Sequence, residues 1–479
     1  MPENDQPRYR DPLVGRYASA EMARVFAEET RFILWRRLWV ALAEAERELG
    51  LPIDESQIAD LRANIENLNL ERARQIEREV RHDVMSHVRA YAEQCPSAGG
   101  VIHLGATSCF VTDNSELWQI REGLRLVRAR LVAVIRVLRE FAGTWKKQPT
   151  LGFTHYQPAQ LTTVGKRATL WLHDFVEDLR DVEYRLGRLA FRGVKGTTGT
   201  QASFLALFDG DHEKVKQLEQ LVAEKMGFEH VAPVTGQTYS RKQDWQVGAA
   251  LSGVAQTVHK LSNDIRLLQN LKEIEEPFGK SQIGSSAMAY KRNPMRSERA
   301  AGLARWVISI AQNPAMTHAE QWFERTLDDS ANRRLALAHL FLGADALLVL
   351  AADITNGLVV FPKMIEKHVA LELPFMATEN LLMAAVRAGG NRQDLHEIIR
   401  VHSQAAADQV KNGGENDLLI RLANDPEFPL SGSEIQRELE PRKYIGRAAE
   451  QVDEYFAEVV DPLLAERADI DVGRAEVRV

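Results

Sequence analysis

The middle of the chain carries long rows of apolar residues at helical spacing. In the first row the members stand alternately three and four residues apart over about eight turns, so they form one face of a single helix. The row consists of Leu117, Ile120, Leu124, Val127, Leu131, Val134, Leu138, Phe141 and Trp145. Asp113 and Glu116 have the spacing of a capping box at its start, and Pro149 marks its end.

The same spacing recurs in residues 164–189 and 247–268, and a further apolar stretch covers residues 335–360. Another helix is predicted to begin near Pro294, with Asn293 as its N-cap. Helices this long need long partners, and strand patterns that could compete are few. The sequence therefore predicts an all-α protein with a central bundle of long helices.

Shorter helical patterns flank this bundle, for example at residues 21–49. The predicted organisation is an N-terminal helical domain at 1–107, a long-helix bundle domain at 108–360 with a polar loop at 282–294, and a C-terminal helical domain at 361–479. Long apolar faces often continue across subunits, so we expect a homo-oligomer.

Composition narrows the class of protein. The net charge of −7 gives no general attraction to nucleic acid or to acidic membranes. The two cysteines, Cys95 and Cys109, cannot staple 479 residues and indicate a reducing compartment. The N-terminus lacks the apolar core of a signal peptide. We therefore expect a cytoplasmic protein, in which the stretch 335–360, interrupted by Asp345 and Asp353, is a buried helix.

Polar residues are concentrated at the breaks between the long helices. The loop 282–294 opens with a flexible Gly-Ser-Ser segment, continues with Lys291 and Arg292, and ends at a predicted helix start. Free backbone N–H groups at a helix start, together with two cations, favour an anion. The loop is thus a candidate anion-binding lid; the alternative is a surface loop with two solvated cations.

Two other polar segments contain histidine or lie close to it. The connection between two long helices contains His155, which alone is more often structural than functional. Residues 102–108 follow the triplet of Arg81, His82 and Asp83, which supplies a cation, a titratable ring and a carboxylate. A local ion pair of Arg81 with Asp83 explains that triplet as well.

A fourth segment, residues 322–334, contains three arginines, which are suited to bidentate binding of carboxylate or phosphate. The alternative is a solvated helix start in which these arginines pair with Asp328 and Asp329. Residues 193–200 are rich in Gly and Thr but match neither a P-loop nor a dinucleotide fingerprint, and no segment has the spacing of metal ligands.

Residues 284–294 resemble the signature loop of the fumarase/aspartase superfamily, which reads G-S-S-x-M-P-x-K-x-N-P. The resemblance implies homotetramers in which four chains build a twenty-helix core and three chains contribute to each active site. It also implies one type of reaction, the removal of a proton and a leaving group from a succinyl unit to give fumarate. Ala289 replaces the usual proline. Loss of the proline ring would make the lid more mobile and leaves the reacting side chains untouched.

Within the superfamily, the sequence resembles the adenylosuccinate lyases, most closely their animal-type form, from about Arg16 to beyond Arg392. The stretches that carry this likeness are residues 81–85, 152–155, 235–238, 290–299 and 322–331. The resemblance implies two nucleotide substrates, adenylosuccinate and succinylaminoimidazole carboxamide ribotide (SAICAR). It implies no cofactor and no metal, and neither nucleic acid nor a membrane as a partner.

The resemblance also implies roles for individual residues. Ser285 is expected to be the base and His155 the acid. Because serine is a poor base at neutral pH, Lys291 is expected to help stabilise its alkoxide and to hold a succinyl carboxylate. His82 is expected to contact the substrate, and Glu298 to orient the acid histidine. The other expected substrate-binding residues are Arg16, Tyr17, Arg81, Asp83, Thr107, Ser108, Gln237, Asn293, Arg299, Arg325, Ser330 and Arg334.

Three alternatives stay open at the level of sequence. Argininosuccinate lyase would need a site for a guanidinium group in place of phosphate, against which Arg325 and Arg334 argue. A non-catalytic scaffold derived from a lyase would have no need of Ser285, Lys291 and His155 together. A hydrolase with Ser285 as nucleophile and His155 as base lacks the G-x-S-x-G elbow.

Overall fold

The computed structural model describes residues 9–470 and residue 473. Residues 1–8, 471–472 and 474–479 lie outside the described residues, and with them the outer limits of the first and third predicted domains. The helices are α1 Ala20–Val25, α2 Glu28–Glu48, α3 Glu55–Ala63, α4 Leu70–Val80, α5 Asp83–Gln94, α6 Ser108–Trp145, α7 Val164–Arg188, α8 Ala202–Leu207, α9 His212–Lys225, α10 Lys242–Asn270, α11 Met295–Ile310, α12 Asn313–Ala319, α13 Asp328–Asn356, α14 Pro362–Met376, α15 Thr378–Arg387, α16 Arg392–Lys411, α17 Leu418–Asn424, α18 Gly432–Glu438, α19 Ala448–Tyr455 and α20 Asp461–Ala465.

Strands are few and short. The hairpin strands β1 Pro149–Thr154 and β2 Gln157–Thr163 pair with each other, and so do β3 Ile274–Glu275 and β4 Val359–Val360. Short helical turns of other types cover Leu13–Tyr17, Pro441–Tyr444 and Phe456–Val460. The all-α prediction is therefore confirmed.

The centre of the protein is a bundle of five long helices. α6 packs against α7 and α13, and α10 packs against α7, α11 and α13. The first apolar row is the buried face of α6: its members from Leu117 to Leu138 have no exposed surface, and only Phe141 and Trp145 are half-buried. Burial of such rows removes apolar surface from water along the whole bundle, which stabilises it.

One predicted helix start is wrong, and another is confirmed with its N-cap shifted by one residue. α6 begins at Ser108, so Asp113 lies inside the helix, where it binds the guanidinium of Arg241 at 3.1 and 3.2 Å. The carboxylate that the sequence pattern assigned to a helix cap thus forms an ion pair with Arg241, a residue far away in the chain. α11 begins at Met295 with Pro294 in the cap position, and Asn293 Nδ2 donates to the carbonyl of Gly284 at 2.7 Å.

Two other helical predictions are confirmed in part. The pattern at 21–49 forms two helices, α1 and α2, which are separated at Phe26 and Ala27. The stretch around 335–360 is apolar and long enough to cross a membrane, but 78% of its most apolar window is buried inside the protein. Its Asp345 contacts Arg130 and accepts from the backbone N–H of Ser19 at 2.6 Å, so it is a core helix with satisfied polar groups.

The connection predicted between the first two long helices is a β-hairpin. Leu151 pairs with Leu161 in its register, and a two-residue turn joins the strands. Only these two leucines alternate clearly with polar residues, which is too short a pattern to indicate strands. The largest apolar cluster extends from Leu13 to Leu463, and a second cluster lies within residues 377–435. The division into three domains stays a prediction.

We predict opposite effects of alanine at two glycines of α7. A Cβ at Gly165 would lie 2.3 Å from the carbonyl oxygen of Ala142 and 2.5 Å from Lys146 Cα, which are backbone atoms of the α6 end. Gly165→Ala should therefore lower the free energy of unfolding by about 1–3 kcal/mol. Gly187→Ala, with nothing within 4 Å, should be neutral or stabilise by up to about 1 kcal/mol. Urea unfolding measures both, and equal midpoints would contradict the close approach of α6 and α7.

Candidate active site

A narrow cleft lies between the start of α5, the start of α6 and the start of α13. Its volume is about 80 Å³. Five residues singled out in the sequence line it: Asp83, Ser108, Arg325, Ser330 and Arg334. Residues separated by about 250 positions along the chain thus meet at one opening, and this is where the predicted nucleotide-binding residues converge.

Thr107 and Gln237 lie beside this cleft through a chain of hydrogen bonds. Gln237 Nε2 donates to Thr107 Oγ1 at 3.3 Å, and Arg325 Nη1 donates to Gln237 Oε1 at 3.1 Å. Arg325 also contacts the buried thiol of Cys109. Burial raises the pKa of that thiol to about 12, so Cys109 is a neutral packing partner of the arginine at physiological pH.

The three residues of the triplet 81–83 have different surroundings. Asp83 binds Arg334 at 2.9 Å. The described residues show no ion pair between Asp83 and Arg81. Arg81 is the C-cap of α4 and, with a φ of 56°, has a left-handed backbone. His82 caps α5, and its Nδ1 accepts from Met85 N at 3.3 Å. When neutral, His82 therefore carries its proton on Nε2.

A buried network of charges lies directly below the cleft. Arg241 binds Asp113 and, through Nε, Asp329 at 2.7 Å. The alternative of a solvated pair at Asp329 is therefore wrong, because this carboxylate is buried against Arg241. Burial opposes ionisation of Asp113, but Arg241 and Arg333 hold the pKa of this carboxyl below its usual value.

Arg333 is the second cation of this network. It binds Asp244 at 2.7 Å and Glu116 at 2.6 Å, and it donates to Tyr239 Oη at 2.5 Å. The network thereby joins α6, α10 and α13, and it fixes the first turn of α13, which carries Ser330. Sequence analysis missed these roles, although charged residues at positions facing the apolar rows of α6 and α10 were a signal for them.

Ser285 has a distinctive environment within the loop 282–294. Its Oγ accepts from the backbone N–H groups of Ala287 at 3.3 Å and of Met288 at 3.1 Å. Both hydrogen bonds would strengthen if the oxygen became an alkoxide, which lowers the cost of removing its proton. Arg292 is occupied by Glu275 at 3.4 Å and by the ring of Phe278. Lys291, six positions further along the loop, is exposed.

His155 stands at the tip of the hairpin and is exposed. His155 and Tyr156 have φ values of 52° and 59°, so both residues of the turn are left-handed. Such turns usually contain Gly or Asn, and each larger residue costs about 1–2 kcal/mol. Local strain of this kind is typical of functional sites, and it supports a chemical role for the imidazole.

Several predicted site residues of the described chain lie outside the cleft lining. Neither His155 nor Ser285 is among the described residues that line the cleft. Glu298 and Arg299 lie in the first turn of α11, after Asn293 at the loop end. Arg16 and Tyr17 belong to the turn Leu13–Tyr17, which packs against α13 outside the cleft lining.

Comparison with known proteins identifies the family. A family model described as Lyase matches residues 14–309, and one described as Adenylosuccinate lyase C-terminus matches residues 374–455. The adenylosuccinate lyase of Saccharomyces cerevisiae is 53% identical over 468 residues, 97% of each chain. The chain belongs to the adenylosuccinate lyase family. The adenylosuccinate lyase of Schizosaccharomyces pombe is 50% identical over 465 residues, 96% of each chain.

The fold of this chain also matches that of solved structures. The crystal structure of a fumarate lyase from Mesorhizobium sp. BNC1 matches with a TM-score of 0.79 at 24% identity, over 94% of this chain and 100% of that chain. At this identity the likeness concerns the fold alone. Membership of the adenylosuccinate lyase family confirms the resemblance found in the signature loop, and it argues against argininosuccinate lyase and a hydrolase.

We predict that the loop depends on a glycine at position 284. A Cβ there would lie 2.1 Å from the carbonyl oxygen of Lys291, and the Gly284 carbonyl is bound by Asn293. Gly284→Ala should lower turnover at least about tenfold while the unfolding midpoint stays within experimental error. Gly279→Ala, whose Cβ would meet Gln282 Cβ at an ordinary 3.5 Å, is the control. Equal turnover in the two variants would contradict the prediction.

Proposed function

We propose that this member of the adenylosuccinate lyase family eliminates fumarate from adenylosuccinate to give AMP, and from SAICAR to give the carboxamide ribotide AICAR. The observation that carries the chemistry is the pair of backbone N–H groups that bind Ser285 Oγ. Without such donors a serine hydroxyl is too weakly acidic to serve as a base. The names of the relatives supply the substrate class.

The proposed reaction moves one proton off carbon and one proton onto nitrogen. Ser285, as alkoxide, takes the proton from the succinyl carbon next to a carboxylate, and the resulting negative charge spreads into that carboxylate. The electron pair then forms the double bond of fumarate as the C–N bond breaks. His155 gives its proton to the departing nitrogen, and Lys291 stabilises the carboxylate charge.

Binding of the nucleotide falls to the cleft. Arg325 and Arg334 supply planar guanidinium groups suited to a phosphate, and Ser330 adds a hydroxyl donor at a helix start. Thr107 and Gln237 form a polar wall beside them that suits the purine and succinyl groups. Further expected contacts are His82, Arg16, Tyr17 and Arg299.

We further propose that complete sites exist only in a homotetramer. In one chain neither His155 nor Ser285 lines the cleft that contains Arg325 and Arg334, so a complete site needs residues of other subunits. Large apolar side chains on the long helices are exposed in the isolated chain, which supports their burial between subunits. They include Leu170, Trp245, Leu267, Trp306 and Leu335. The free thiols of Cys95 and Cys109 support a cytoplasmic location.

We predict that Ser285→Ala retains substrate binding while turnover falls. Loss of a proton-transfer group typically lowers turnover about 10²–10⁴-fold. Fumarate release from adenylosuccinate measures turnover, and calorimetry with the same nucleotide measures binding. The neighbouring Ser286→Ala is the control, because the two N–H donors bind Ser285. Turnover of Ser285→Ala above about a tenth of wild type would exclude it as the base.

We also predict that two inactive variants complement each other. Mixed tetramers of Ser285→Ala and His155→Ala subunits should regain part of the wild-type turnover, because some sites then receive both intact residues. Subunits are exchanged by partial unfolding and refolding, and native mass spectrometry verifies mixing. Absence of recovery in verified mixed tetramers would contradict sites shared between subunits.

A further inference from the structure

Arg31 lies in the first turns of α2 and faces two openings at once. It lines the cleft described above and also an adjoining cavity of about 160 Å³. The wall shared by the two openings consists of Arg31, Glu116, Arg333 and Arg334. Nothing in the sequence patterns pointed to Arg31, which follows Glu28, Glu29 and Thr30 and precedes an apolar run at residues 32–35.

The guanidinium of Arg31 has no direct ion-pair partner among the described residues. Arg333 is bound by Asp244 and Glu116, and Arg334 is bound by Asp83 at 2.9 Å. The Arg31 side chain, in contrast, has neither an ion pair nor a hydrogen bond with any described residue. Its Nε is buried without a partner, and the carboxylates of Glu116, Glu28 and Asp83 attract it only from a distance. Burial, followed by the nearby charge of Arg334, lowers the pKa of this guanidinium.

Aromatic rings hold the Arg31 side chain in position. Its Cζ lies 4.9 Å from the ring centre of Phe32 and 5.9 Å from that of Trp35. Neighbouring His87 does not add a cation, because burial and then Arg36 lower its pKa to about 4. A half-buried guanidinium without a direct ion-pair partner costs free energy, and an anion that enters the cleft recovers part of this cost.

We propose that Arg31 is a further substrate-binding residue that holds the 5′-phosphate of the nucleotide together with Arg334. The inference rests on the proposed function. Arg325 and Ser330 in the same cleft favour phosphate as the ligand. The planar donor groups of two arginines match the several oxygens of a phosphate.

Arg31→Gln tests the proposal by binding. We expect the dissociation constant of AMP, measured by calorimetry, to rise about tenfold or more, since one charge-assisted contact to phosphate accounts for a factor of this size. KM for adenylosuccinate should rise similarly, with kcat within about threefold of wild type. Inhibition by fumarate, which has carboxylates and no phosphate, should stay the same. An AMP affinity within twofold of wild type, or a loss confined to fumarate, overturns the proposal.

Stability separates this role from a structural one. Without ligand, Arg31→Gln should unfold at the same or a higher temperature, because it removes a half-buried charge that has no direct ion-pair partner. The gain in melting temperature on adding AMP should shrink. Arg36→Gln on the same helix is the structural comparison: Arg36 donates to Asn67 O at 2.9 Å and Gln94 Oε1 at 2.7 Å, so its loss should lower the melting temperature. A lowered melting temperature of Arg31→Gln with unchanged AMP affinity overturns the proposal.

Two further measurements keep the proposals distinct. Arg37→Gln, an exposed position whose ion pair with Glu66 is long at 3.8 Å, should match wild type in AMP affinity and melting temperature. Wild-type protein that binds AMP but releases no fumarate from adenylosuccinate would contradict the proposed function. The role of Arg31 would still be decided by the AMP affinity of Arg31→Gln.

Discussion

The buried ion pairs of Arg241 and Arg333 are the constraint on which the site depends. These two cations bind carboxylates from α6, α10 and α13, so three helices of the bundle meet through charge at a point where apolar packing alone would let them slide. Breaking one such pair in a protein interior typically costs about 3–5 kcal/mol. The cleft lies above this network and takes its shape from it, because Ser330 and Gln237 belong to segments that the network ties down.

The reacting groups are placed differently from the binding groups. The cleft is lined mainly by residues of helices, whereas Ser285 and His155 sit in connecting segments between the long helices. This division suits the proposed elimination: the helical part would recognise the nucleotide, and the loop would close over the succinyl group and exclude water. The backbone donors to Ser285 show that the loop is already ordered around its hydroxyl in one chain.

The sequence predicted what depends on periodicity and on motif. The apolar rows of α6, α7 and α10 follow from spacing alone, and the signature loop was recognisable from its residues. Helix ends were predicted less well. The residues next to Asp113 in the sequence suggest a helix cap, but its carboxylate binds Arg241, which is 128 positions away. The role of Arg31 could not be predicted from the sequence, because the absence of a direct ion-pair partner shows only in the folded structure. The hairpin was missed because its alternating pattern is too short.

The two-residue turn at the hairpin tip sets a limit on how this region can change in evolution. Surface turns usually accept insertions and deletions freely. Here both strands are held in register up to Thr154 and Gln157, so one added residue would turn the imidazole away from its direction or shift the strand faces. The length of this turn thus determines how far the His155 ring extends from the bundle. Relatives that retain the chemistry should retain a turn of the same length.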